Sequence, residues 1–262
     1  MNKIKKGLVF SLIIVISFVF SVMSNASKRS TITTRKDVGG KEIRLEIKEG
    51  EHWNHRLPLL PWLPFFKIKT TPQIAVWIED LEGDYLDTLY VTEKTATQSW
   101  QKAPGDSTPK EKIRRKSSLP HWTYQRNVKY GDGLYLPTKE KPVADVITSA
   151  TPEAGFELLS KIEEKYNKVI LKVEINNSTD FNKYYPKDAK KGDANYSGGE
   201  WGSGQPAIVY ATTVNLKGDK KFYSLQAIGH SSPNGENGKL YPDLSKLTTA
   251  KGIIKDISVE IR

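Results

Sequence analysis

Apolar and polar side chains alternate with a period of two along much of this chain, and each such stretch predicts a half-buried β-strand. Glu42-Ile43-Arg44-Leu45-Glu46-Ile47 puts Ile43, Leu45 and Ile47 on one face. In residues 73–78, Ile74, Val76 and Ile78 share one face while Ala75 and Trp77 share the other, which predicts a strand covered on both sides. Glu82-Gly83-Asp84 supplies a turn, and residues 85–92 return as the second arm of a hairpin. Further strands are predicted at 169–175, 207–214, 222–228 and 253–261, with Gly/Asn/Asp/Ser-rich turns at 192–204 and 231–238.

Three stretches resist this pattern. From 95 to 141, Pro104, Gly105, Pro109, Pro120, Gly131, Gly133 and Pro137 interrupt the chain, with Trp100, Trp122, Tyr124, Tyr130 and Tyr135 between them. A loop this long is functional or disordered, and its aromatic content predicts that at least 119–136 is packed. After Pro152 both periods fit. Phe156, Leu159, Ile162 and Tyr166 make a helical face behind a Thr151-Pro152 start, while Phe156, Leu158 and Ile162 also suit a strand. The run from Leu57 to Phe66, with Pro58, Pro61 and Pro64, is too Pro-rich for a central strand. Exposed, it would dock on a membrane or a partner; otherwise it packs over one end of the core. Short strands and few helical patterns predict an all-β fold, an antiparallel immunoglobulin-like β-sandwich with long loops and at most one or two short helices. It spans 41–262 as one domain, with a long aromatic and Pro-rich insertion at 95–141.

A leader precedes the domain. Lys3, Lys5 and Lys6 are followed by an apolar run from Leu8 to Met23 and by Ser24-Asn25-Ala26. Charge, apolar run and small residues in that order build a secretory signal peptide, cut near Ala26. The apolar run falls short of the roughly 20 residues that span a bilayer; an uncleaved anchor is the alternative. Residues 27–40 are polar and unpatterned, and are expected to be a flexible tether. The expected location is periplasmic or extracellular.

Composition narrows the chemistry. Cysteine is absent, so the chain has no disulfide, thiolate nucleophile, thiolate metal site or c-type haem attachment, and no acylated cysteine after the leader. The formal net charge of +10 falls by three when Lys3, Lys5 and Lys6 leave with the signal peptide. A surplus of this sign favours a protein or membrane-surface partner outside the cytoplasm, polyanionic in character, or serves solubility alone. Export disfavours nucleic acid.

Several residues could carry a site. His52 and His55 are three apart, but two histidines fall short of the three or four convergent ligands a metal needs. Glu174, Asn176, Ser178, Asp180 and Asn182 offer oxygens at alternate positions that suit calcium; the same residues also suit a plain turn. In the glycine-rich stretch 198–206, Trp201 either stacks on a sugar or flavin ring or closes the core. Trp62, Phe65, His121, Trp122 and Trp201 are the candidate contact residues. No nucleophile elbow or zinc-protease motif occurs, so no catalytic residue is assigned.

Asp145-Val146-Ile147-Thr148-Ser149-Ala150-Thr151 is similar to the Asp-x-x-Ser/Thr-Gly-Ala-Thr/Ser motif of exported flavoproteins, in which a flavin transferase joins FMN phosphate to the last hydroxyl. By position, Thr151 would be the acceptor, Asp145 the motif acid, and Thr148 and Ala150 the residues completing the motif. Ser149 stands where glycine is usual, and Pro152 follows at once. Along 72–182, residues 72–80, Thr88-Leu89-Tyr90, Leu119-Pro120-His121-Trp122, 145–152 and Gly155-Phe156 occur in the order found in a family of predicted periplasmic proteins of unknown function. That family is associated with flavin transferases and membrane redox modules. The resemblance implies an exported β-sandwich in a redox neighbourhood, with strand after Ala150-Thr151-Pro152. Three functional readings follow: a non-enzymatic binding or scaffolding protein beside such a system, a covalent flavin carrier with FMN on Thr151, and a carbohydrate-binding or carbohydrate-active protein.

Overall fold

The alternating stretches become strands in the computed structural model, which describes residues 30–60, 63–100, 113–143 and 151–262. They are β1 (Ser30–Thr33), β2 (Gly40–Glu49), β3 (His55–Leu60), β4 (Leu63–Thr70), β5 (Gln73–Glu79), β6 (Tyr85–Val91), β7 (Phe156–Glu163), β8 (Lys168–Asn176), β9 (Ile208–Asn215), β10 (Phe222–Ser224), β11 (Gln226–His230) and β12 (Ile254–Ile261). Two short helices, α1 (Glu93–Thr97) and α2 (Pro120–Gln125), lie between β6 and β7. By internal contacts residues 31–262 form one compact unit. No helix among the described residues is long and apolar enough to cross a membrane.

Two five-stranded sheets, β1-β7-β2-β12-β10 and β11-β9-β8-β5-β6, make the all-β sandwich, and β3 pairs with β4 in a separate two-stranded sheet. The β7/β2/β12 and β9/β8/β5/β6 pairings are antiparallel. Alternation decides which side chains meet. Ile43, Leu45 and Ile47 of β2, Phe156, Leu158 and Ile162 of β7, and Ile257, Val259 and Ile261 of β12 face Ile74, Val76 and Ile78 of β5 and Val169, Leu171, Val173 and Ile175 of β8 in one buried cluster. Each such side chain contributes about 1.5–3 kcal/mol by leaving water, which has to hold the fold without a disulfide.

The other face of the second sheet is covered as well. Ala75, Trp77, Val91, Ala207 and Val209 pack there against Ala96 of α1, Trp122 of α2 and Leu119 just before it. Every residue of β5 is therefore buried, as its apolar residues on both faces predict. Within the aromatic insertion, Leu119, Trp122 and Leu136 are buried, so the packed part of that loop is the outer layer of the sandwich.

Two local expectations change, and one open choice closes. Of the helix and the strand that both fitted the stretch after Pro152, the strand forms: β7 pairs with β2 from Ile47↔Phe156 to Gly40↔Glu163, and its buried residues alternate. A helix there would leave the β2 backbone unpaired along the edge away from β12. The tether expected at 27–40 is strand over part of its length, with the Thr34 amide bonded to Leu159 O at 2.9 Å and its hydroxyl to Ser160 Oγ at 2.9 Å. Polarity concealed a β-branched run, Thr31-Ile32-Thr33-Thr34, suited to an edge strand that buries little. The strand predicted at 222–228 is two, breaking at buried Leu225 where the chain passes from one sheet to the other.

Candidate functional site

A cleft of about 410 Å³ opens between the connection from β8 to β9 and the connection from β11 to β12. Its lining includes Tyr184, Tyr196, His230, Asn237, Tyr241 and Asp243. Asn182 builds the first wall. Its side-chain oxygen accepts the amides of Tyr184 and Tyr185 at 2.9 and 2.8 Å, a turn that asparagine favours, and its amide donates to Lys246 O at 3.0 Å. One side chain thus orients the tyrosine pair and ties it to the opposite wall. Tyr184 meets Tyr185 edge-on at 4.9 Å, and the Lys246 ammonium lies 5.4 Å from the Tyr184 ring centre.

His230 and Tyr241 define the second wall. Their backbones exchange two hydrogen bonds of 2.8 Å, and their rings stack at 5.3 Å with 12° between planes. One face of Tyr241 is thereby fixed against the imidazole. His230 Nδ1 lies 2.8 Å from Ser231 O, an acceptor, so this nitrogen carries the proton and Nε2 is left as an acceptor. Burial lowers the His230 pKa from its usual value, which keeps the ring neutral. The Asn237 amide donates to Tyr241 Oη at 3.3 Å.

The segment 232–238 is held from behind by α2. His121 Nδ1 lies 2.7 Å from Gly238 O, and the Tyr124 hydroxyl donates to Glu236 O at 2.8 Å. Gly235 has φ +68°, and a Cβ there would sit 2.1 Å from Lys116 O, so the turn closes on the insertion only with glycine. Helix α2 is itself anchored to β8: fully buried Glu174 accepts the amides of His121 at 3.2 Å and Trp122 at 2.7 Å. Burial pushes the Glu174 carboxyl up to about 7, while the α2 amides and Ser231 work the other way. Beside it, Glu79 accepts from Trp77 Nε1 at 2.7 Å and pairs with the Lys172 ammonium at 2.6 Å.

Chemically, the cleft presents aromatic faces, side-chain amides, one ammonium and the carboxylates of Asp193, Glu236 and Asp243. The backbone amide of Ser245 bonds to Asp243 at 2.8 Å and holds its carboxyl below its usual pKa, ionised and accepting. Such a carboxylate is suited to receive ligand hydroxyls and unsuited to deliver a proton.

The residues singled out from sequence fall elsewhere. Asp145, Thr148, Ala150 and Trp62 lie outside the described residues, as does the side chain of Trp201, whose backbone forms a 3-10 turn at Gly199–Trp201. Thr151 is buried, and its hydroxyl donates to Pro72 O at 2.6 Å; the exposed acceptor that flavin transfer needs is not presented. His121 and Trp122, expected as contact residues, are buried at 4% and 0% exposure, because α2 packs its apolar face onto the sheet. His121 acts through Gly238, and Trp122 Nε1 donates to Thr88 Oγ1 at 2.9 Å. Phe65 is 92% exposed.

The oxygen series proposed for calcium divides. Glu174 turns to α2, whereas Asp180 accepts from Gln205 at 2.9 Å and from Thr249 at 2.7 Å, and Asn182 serves the tyrosine turn. Among the described residues no group of three His, Asp or Glu side chains could hold a metal ion. His52 lies beside Glu51 at 3.5 Å, and His55 beside Asp180 at 4.0 Å.

Sequence reasoning missed Tyr184, Tyr196, His230 and Tyr241 as a set. The adjacent Tyr184-Tyr185 pair after an Asn-rich turn and the polar turn at 231–238 were visible signals. That the two face each other follows only from the order of strands. No family model, no curated protein and no solved structure matches the chain.

Proposed function

We propose that the protein is an exported, non-enzymatic β-sandwich that binds a polyhydroxylated ligand, the end of a glycan or a short oligosaccharide, in the tyrosine-lined cleft. The observation that carries this reading is the lining itself, in which Tyr184, Tyr196 and Tyr241 stand beside Asn234, Asn237 and Asp243 in about 410 Å³. Sugar rings offer C–H faces that pack on aromatic rings, and hydroxyls that need donors and acceptors together. Three carboxylates against one ammonium disfavour an anionic ligand such as a flavin phosphate in the same cleft. Ionised Asp243 and neutral His230 favour binding over acid catalysis. Export is supported by the order of Lys3, Lys5 and Lys6, the apolar run and Ser24-Asn25-Ala26.

Titration calorimetry of residues 27–262 against a panel of neutral oligosaccharides tests this. At least one saturable ligand is expected, with Tyr184→Ala and Tyr241→Ala each weakening it roughly five- to tenfold, the scale of one aromatic contact. Absence of saturable heat across the panel, or affinity untouched in both variants, contradicts it.

A further inference from the structure

The hairpin β3–β4 carries an electrostatic conflict that the described residues do not resolve. Its strands pair with each other and with neither five-stranded sheet. In their register Arg56 lies directly opposite Lys69, and Pro58 opposite Lys67. Side chains of directly opposed residues share a face, and along β4 the same face recurs every second residue. Phe65, Lys67, Lys69 and Arg56 therefore stand on one side of the hairpin, and all four are exposed. Like charges opposed across a strand pair are destabilising. The ion pair that offsets them among the described residues joins Lys69 to Glu153 at 3.3 Å, with Glu153 85% exposed, and an exposed pair of this kind contributes little. Beside the cations, Phe65 holds its ring in solvent at 92% exposure, although aromatic residues normally bury most of their area.

We propose that this face of the β3–β4 hairpin docks the protein on an anionic phospholipid bilayer. Phosphate headgroups would relieve the opposition of Arg56, Lys67 and Lys69, and Phe65 would enter the boundary between headgroups and acyl chains. Aromatic rings and Lys/Arg side chains segregate to that interface for these two reasons. A hydrophilic polyanion would satisfy the cations and leave Phe65 in water, and for that reason lipid is the occupant. The surrounding sequence, Leu57 to Phe66, is apolar and Pro-rich without any acid, so nothing in it repels a lipid surface. This docking is independent of what the cleft binds.

Co-sedimentation of residues 27–262 with vesicles tests it; the leader is omitted because its apolar run would bind lipid by itself. Vesicles of phosphatidylcholine with phosphatidylglycerol are expected to retain the protein, and phosphatidylcholine alone to retain it far less. Each of Arg56→Gln and Lys67→Gln should weaken binding about fivefold, raised salt should weaken it further, and Phe65→Ser should also weaken it about fivefold. Thermal midpoints should not fall, since all three side chains are exposed and Arg56→Gln removes the opposition to Lys69. Soluble polyphosphate is the control for charge alone. The proposal is overturned if anionic vesicles fail to bind the protein, if neutral vesicles bind it equally, if the variants sediment like the parent, or if polyphosphate is bound while vesicles are not.

Discussion

His121 Nδ1 donates to the main-chain oxygen of Gly238 at 2.7 Å, joining a helix on the outer layer of the sandwich to the rim of the cleft. From β8 outward the connection runs through Glu174, the α2 amides, His121 and Gly238 to the wall that holds Asn237 and Tyr241. His121→Ala removes the donor and leaves a half-buried carbonyl without it, at a cost of about 0.5–1.5 kcal/mol. For a domain of this size the thermal midpoint should fall by roughly 2–4 °C per kcal/mol. Ligand affinity should fall with it, and His121→Gln should recover part of both, as measured by differential scanning fluorimetry and calorimetry.

The first wall depends on Asn182 in the same way. Asn182→Ala loses the acceptor shared by the Tyr184 and Tyr185 amides and the bond to Lys246 O. Stability should drop by about 1–2 kcal/mol, and affinity should weaken although Asn182 is not among the lining residues. Undiminished affinity in a folded variant would show that the tyrosine turn is not required.

Glu174 makes stability depend on pH. Its carboxyl, ordinarily near 4.5, is raised to about 7 in the folded chain by burial. Between those values the folded protein keeps a proton that the unfolded chain has released. The contribution is therefore complete below 4.5 and is lost as pH rises through 7, by about 3 kcal/mol in all. Buried His121 and His230, whose pKa values are lowered, work in the opposite direction. The Glu174→Gln variant separates the two effects. Its thermal midpoint should gain on the parent's from pH 4.5 to 7, and a constant difference across that range would count against a buried protonated carboxyl.

Thr151 is expected to stay unmodified. Its hydroxyl is buried and donates to Pro72 O at 2.6 Å, so transfer of FMN would first require this segment to leave the domain. Coexpression with a competent flavin transferase should give an intact mass without the FMN increment. Thr151→Val should lower stability by about 1 kcal/mol through loss of the bond. An FMN adduct on the peptide containing Thr151 would refute the assignment.

The sandwich was legible because alternation maps directly onto sheet faces. Ile43, Leu45 and Ile47, and the doubly covered β5, occupy the predicted positions. Polarity misled at Thr31-Ile32-Thr33, where an edge strand needs backbone partners more than apolar side chains. The period after Pro152 was undecidable locally, and pairing with β2 decided it. The cleft was not legible, because its walls lie about 50 residues apart in sequence and meet through strand order. His121 was noticed for its composition and neighbours, yet its role depends on Gly238, 117 positions away.

The tyrosines themselves offer the most direct reading of the cleft. With tyrosine-selective isotope labelling, resonances can be followed during titration with a neutral oligosaccharide that the calorimetric panel selects. Saturable shifts at Tyr184, Tyr196 and Tyr241, with core residues Tyr90 and Tyr223 unmoved, are the expected outcome. Shifts confined to tyrosines outside the cleft, or none at saturating sugar, would show that these two loops do not form the binding site.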